Sequence, residues 1–79
     1  MSYDEVFDRI ADLLLMQLPI TKEQIKPESS LIEDLGADSA NIMIFICDVE
    51  NEFDIEVDND NLAGFATVND IVRYLTEKA

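Results

Sequence analysis

The residues best equipped for chemistry in this 79-residue chain lie in one short run, Asp34-Leu35-Gly36-Ala37-Asp38-Ser39. Gly36 is the residue type that permits a tight backbone bend. Asp38 is a strong helix N-cap, which puts Ser39 in the first turn of the helix that follows. Backbone N–H groups there have no intrahelical acceptor, and the helix dipole places a partial positive charge beside them. A phosphate carried on the Ser39 hydroxyl is favoured by both. The blander alternative is that Ser39 merely shares the capping with Asp38. Other candidates are poorer. There is no His anywhere, which removes the commonest general base and the commonest metal ligand. Asp58-Asn59-Asp60-Asn61 has the acids of a calcium loop, but such a loop needs Gly at its sixth place and Glu at its twelfth, where this chain has Ala63 and Asn69. Glu33 and Asp34 are adjacent acids without pocket-forming sequence around them and read as a solvated pair. Cys47 has no His or basic neighbour to lower its pKa, so it is no nucleophile. Neither a catalytic residue nor a metal site is expected; the chain is not an enzyme.

Local sequence must hold that run in place. Ser2 with Glu5 has the form of a capping box. From there Tyr3, Val6, Phe7, Ile10, Leu13, Leu14 and Leu18 recur at helical spacing, leaving Asp4, Asp8, Arg9 and Asp12 outward. Pro19 ends this first helix. Residues 19 to 37 read as a long ordered loop, unusual in so small a domain. Ile20, Ile25, Leu31, Ile32 and Leu35 are expected to pin it to the core, with one short turn begun by Ser30 and Glu33. Asp38 then caps a helix over 39–53, whose core stripe is Ile42, Phe45, Ile46, Val49 and Phe53. Met43, Ile44 and Cys47 are apolar as well, more hydrophobes than one inward stripe requires. A weak short helix is expected near Asn59 to Ala63, closed by Gly64. Thr67 with Asp70 caps a last helix ending near Lys78, with Val68, Ile71, Val72 and Leu75 inward. The expected fold is all-α: a small bundle of three main helices and one short one, in a single domain over 1–79, with a long loop between the first two helices.

Charge narrows the function. Eighteen acids against five bases give −13, and that surface repels the phosphates of nucleic acid. An apolar fraction of 48% is that of a globular chain. No apolar run reaches membrane-spanning length, the acidic start is unlike an export signal, and a lone Cys fits a reducing compartment. A monomeric, cytoplasmic module that works by meeting other proteins is expected.

The Leu-Gly-Ala-Asp-Ser run, followed at helical distance by Glu50-Asn51-Glu52-Phe53-Asp54-Ile55-Glu56-Val57, resembles the acyl carrier protein family. Ser30-Leu31-Ile32-Glu33-Asp34 ahead of it and Thr67-Val68-Asn69-Asp70 behind it extend the likeness over nearly the whole chain. The resemblance implies a 4′-phosphopantetheine arm on Ser39, with Asp38 as the neighbouring acid that assists the attaching transferase and its metal ion. The arm would hold an acyl group as a thioester for partner enzymes, in fatty-acid synthesis or a specialised pathway. Implied partners are a phosphopantetheinyl transferase and acyl-transferring or synthase enzymes with basic or apolar docking patches.

This sequence departs from the family pattern beside the motif. Ala40 stands where Leu is usual, Asn41 and Ile44 where acids are common, and Cys47 where Met is frequent. Ala40, Asn41, Ile44, Cys47 and Asp48 are the expected docking residues, on a helix less acidic and more apolar than in the general fatty-acid carrier, although Asp48, Glu50 and Glu52 remain. Ile44 and Cys47 read equally well as scattered surface hydrophobes, which are normal. Two other readings stay open here. One is an acidic interaction module without the arm. The other is a peptidyl or aminoacyl carrier, against which Asp38 and the charge argue.

Overall fold

A computed structural model of the chain describes residues 2–58 and 64–78. Three α-helices form within them: α1 (Tyr3–Gln17), α2 (Ser39–Phe53) and α3 (Val68–Lys78). The short helix expected near Asn59 to Ala63 lies outside the described residues. No helix among the described residues is long and apolar enough to cross a membrane.

Each helix begins where its sequence supplies a cap. The Ser2 hydroxyl accepts the N–H of Glu5 at 3.3 Å and donates to the Glu5 carboxylate at 3.2 Å. At α3 the Thr67 hydroxyl accepts the Asp70 N–H, while the Asp70 carboxylate accepts the N–H groups of Thr67 and Ala66, both at 3.0 Å. The first helix stops at Gln17, two residues before Pro19. Its apolar stripe meets both other helices: Val6, Ile10, Ala11 and Leu14 are buried with Phe45, Ile46 and Val49 of α2 and Val68, Ile71, Val72 and Leu75 of α3. A further tie runs from the Tyr3 hydroxyl to the Asn69 side chain at the start of α3.

The long loop is held by main-chain bonds as well as by burial. Leu31 N–H donates to Ala66 O at 3.0 Å, Val68 N–H to Ser29 O at 3.1 Å, and Asn69 N–H to Pro27 O at 2.9 Å, stitching the loop to the entry of α3. One 3₁₀ turn, Lys22–Gln24, falls inside it. Ile25, Leu31 and Leu35 are buried as expected and Ile20 is partly so. Ile32 is the exception, 61% exposed. Residues 30 to 36 wind into a single tight turn, with Asp34 and Leu35 N–H groups on Ser30 O and Gly36 N–H on Ile32 O. Leu31 and Leu35, four apart, share its inner side, which turns Ile32 outward. The Ser30 hydroxyl accepts the Glu33 N–H as the spacing predicts, but Asp34 answers in return, its carboxylate taking the Ser30 N–H at 2.6 Å.

Candidate functional site

Gly36 closes that turn with φ at +73°, a left-handed conformation that L side chains adopt at a cost. Nothing lies within 4 Å of where a Cβ would stand, so the backbone angle alone calls for glycine. The bend delivers Ala37 into the core and Asp38 to the threshold of α2. Asp38 is extended, and its carboxylate accepts the Asn41 N–H at 2.8 Å; the Asn41 side-chain oxygen accepts the Asp38 N–H at 3.2 Å. This reciprocal box caps the helix with residues 38 and 41, and involves no other side chain.

Ser39 is therefore left out of the capping. It is exposed, it is the first residue of α2, and its hydroxyl makes no hydrogen bond to a protein group among the described residues. The rival reading, in which Ser39 shares the cap, does not match this geometry. The other serine hydroxyls are engaged. Ser2 caps α1, the buried Ser29 donates to Gln24 O at 2.9 Å, and Ser30 accepts Glu33 N–H. An exposed, unengaged hydroxyl beside first-turn N–H groups is a competent acceptor for a phosphoryl-linked group.

An apolar crevice opens beside this hydroxyl's helix, between α1, the loop and α2. Leu14, Leu18, Leu31, Ala37, Ile42 and Phe45 line it, with Gln17 and Asn41 as its polar members. Its volume is about 10 Å³, the space of a single water at most. A chain of methylenes enters only if the helices part.

The remaining expected site residues divide. Ala40, Ile44 and Cys47 are exposed on the outer side of α2. Asn41 is half-buried in the capping box, and half-buried Asp48 accepts a hydrogen bond from the Gln17 side chain at 3.3 Å, so both serve the fold. Glu50 and Glu52 are likewise engaged: Glu50 accepts the Val57 N–H at 2.9 Å, and Glu52 pairs with Arg9 at 2.9 Å. Met43, 56% exposed, and Ile32 add apolar surface that the docking set of the sequence reading omits. For Met43 the signal was in the sequence, at three residues from Ala40. For Ile32 it was not, because the winding of the turn decides its direction.

Comparison with known proteins bears on what this arrangement serves. The family model described as the phosphopantetheine attachment site matches residues 8–75. The acyl carrier protein of Chlorobium phaeovibrioides is 35% identical over 78 residues, covering 99% of this chain and all of that protein. The acyl carrier protein of Thermotoga maritima is 36% identical over 77 residues, covering 98% of this chain and 95% of the other. A solved structure of the acyl carrier protein from Enterococcus faecalis superposes with a TM-score of 0.83 at 26% identity, over the full length of both chains. On a match that takes in all three helices, the chain belongs to the acyl carrier protein family: it is a carrier and not a catalyst, bears 4′-phosphopantetheine, and meets phosphopantetheinyl transferase, synthases and acyl-transferring enzymes.

Proposed function

We propose that Ser39 is the residue that carries the 4′-phosphopantetheine arm. The observation behind this is the division of labour at the start of α2: Asp38 and Asn41 close the helix end, and the exposed Ser39 hydroxyl is left without a partner among the described residues. The residues present fit the group. The hydroxyl would offer the ester oxygen, the neighbouring first-turn N–H groups would favour its phosphate, and the apolar crevice nearby suits an aliphatic cargo. When bound, the arm supplies a terminal thiol that holds an acyl group as a thioester.

The chain's own residues hold, shelter and address. Gly36 and Asp38 fix where the hydroxyl stands. Leu14, Leu18, Ile42 and Phe45 offer apolar surface to a chain that parts the helices, each buried methylene contributing about 0.8 kcal/mol against the cost of opening. That balance suits a cargo that must be held and then released. Asp38, its carboxylate at the helix threshold, is the acid presented to the attaching transferase. Residues around it on α2, Ala40, Asn41, Ile44, Cys47 and Asp48, form the docking side, with Asn41 and Asp48 shaping it from within. On this reading residues 1–79 work as one cytoplasmic carrier domain. Fatty-acid synthesis is the family's usual role, and the apolar substitutions beside Ser39 favour a specialised pathway for this member.

The test is to incubate the apo protein with coenzyme A, magnesium and a broad-specificity phosphopantetheinyl transferase, and to weigh the product. Wild type should gain one phosphopantetheine and Ser39→Ala none. Equal gain on both, or none on wild type, overturns the assignment.

A further inference from the structure

Resting on the Ser39 reading, we infer that the outward face of α2 is read by apolar contact, by a partner enzyme whose docking surface is an apolar hollow and not a lysine- and arginine-rich patch. Ala40, Met43, Ile44 and Cys47 stand at i, i+3, i+4 and i+7, which puts them on one face of the helix. All four are exposed, Met43 by 56% and Ile44 by 50%. A chain of net charge −13 thus leaves the most accessible side of this helix without a charge.

The acids that flank this stripe on α2 are each hydrogen-bonded within the chain, and Glu52 is paired with a cation. Asp48 is held by Gln17 of α1, Glu50 by the Val57 N–H beyond the helix, and Glu52 by Arg9 of α1. Each of these bonds ties its carboxylate to a neighbouring segment. On the stripe itself a partner meets a methionine, an isoleucine, a thiol and a methyl, with Ile32 exposed on the turn that leads to Ser39. Met43 is the adaptable member, able to fill an irregular hollow.

Charge decides between occupants. A second copy of this chain brings another −13 and is repelled, and an anionic surface is repelled likewise. An enzyme with an apolar hollow, neutral or mildly basic at its rim, is complementary to an uncharged stripe set in an acidic molecule. Ser39 immediately precedes Ala40, so an enzyme seated on the stripe has the attachment position at its edge.

The test uses the holo protein with an electrophile on its arm that traps the active-site cysteine of a condensing enzyme. Two such enzymes are compared, one with a basic docking patch and one with an apolar patch. Wild type should be trapped about tenfold faster by the apolar one, at a rate little changed between about 50 and 500 mM NaCl. Ile44→Glu and Met43→Glu should each slow that reaction about tenfold and speed trapping by the basic enzyme, now in a salt-sensitive way. A gain with one enzyme cannot come from misfolding. Wild type preferring the basic enzyme with steep salt dependence, or Ile44→Glu changing neither rate, overturns the inference alone. A chain that accepts no arm overturns the Ser39 reading, and this inference with it.

Discussion

A hydroxyl that is to be esterified must be free of other duties, and the four serines of this chain sort by that criterion. Three have local work: a cap at Ser2, a buried loop bond at Ser29, a turn bond at Ser30. Ser39 has none among the described residues, because Asp38 and Asn41 do the capping beside it. Its freedom depends in turn on Gly36, whose φ of +73° sets the path of the chain into α2. Gly36→Ala introduces no clash, so its cost is that of the left-handed backbone, about 1–2 kcal/mol. Urea unfolding should show that loss, and transferase loading of Ser39 should slow as the bend relaxes. A variant as stable as wild type would show that the angle is not required. Residue types alone marked a bend and a cap within residues 34 to 39, because bends and caps are local chemistry, whereas attention to the Ser39 hydroxyl came from the resemblance to acyl carrier proteins. Asp38 as the cap was legible too; whether Ser39 shares in it was not, since its hydroxyl is also competent to cap.

The three helices were legible for the same local reason. Spacing and caps give α2 as 39–53, and the structure has Ser39–Phe53. Its end carries a feature that spacing does not reveal: Asp54 stands at φ 54°, left-handed without being glycine. Replacing it with Gly should stabilise the protein by about 0.5 kcal/mol, net of the entropy glycine adds to the unfolded chain. Asp54→Asn, measured by the same urea titration, separates the part due to charge. A fall in stability with Gly would mean that the Asp54 side chain contributes something beyond its backbone angle. At α3, the Thr67 N–H bond holds the Asp70 carboxyl below its ordinary 3.8, opposed by burial and aided by the Ala66 N–H, the Thr67 hydroxyl and Arg73. A carboxyl with a lowered folded pKa adds stability that is complete above the unfolded value and lost as pH falls through the folded one. Asp70→Asn should therefore be less stable than wild type at neutral pH, with the difference shrinking on acidification below 3.8. A difference that is constant with pH would contradict this. Acids with distant partners were not legible in the sequence. Asp48 finds Gln17 and Glu52 finds Arg9, 31 and 43 positions away, beyond any helical periodicity.

For the molecule as a whole the net charge is −13, and among the described residues a single ion pair, Arg9 with Glu52, joins opposite charges. That pair is exposed and contributes at most about 1 kcal/mol. Self-repulsion therefore works against the fold, and added salt or millimolar divalent cation should raise the melting temperature by screening it. No change with ionic strength would mean the acids are better compensated than their contacts show. The same repulsion was readable from composition, and the apolar residues of the outer face of α2 from the sequence, whereas their exposure and the partners of the flanking acids needed the structure. The most direct measurement is a mass map of the transferase-loaded protein, digested and sequenced by fragmentation. One phosphopantetheine is expected, on the peptide containing Ser39 and on that residue. An arm found on Ser30 or elsewhere, or a wild-type chain that stays unmodified, would contradict it.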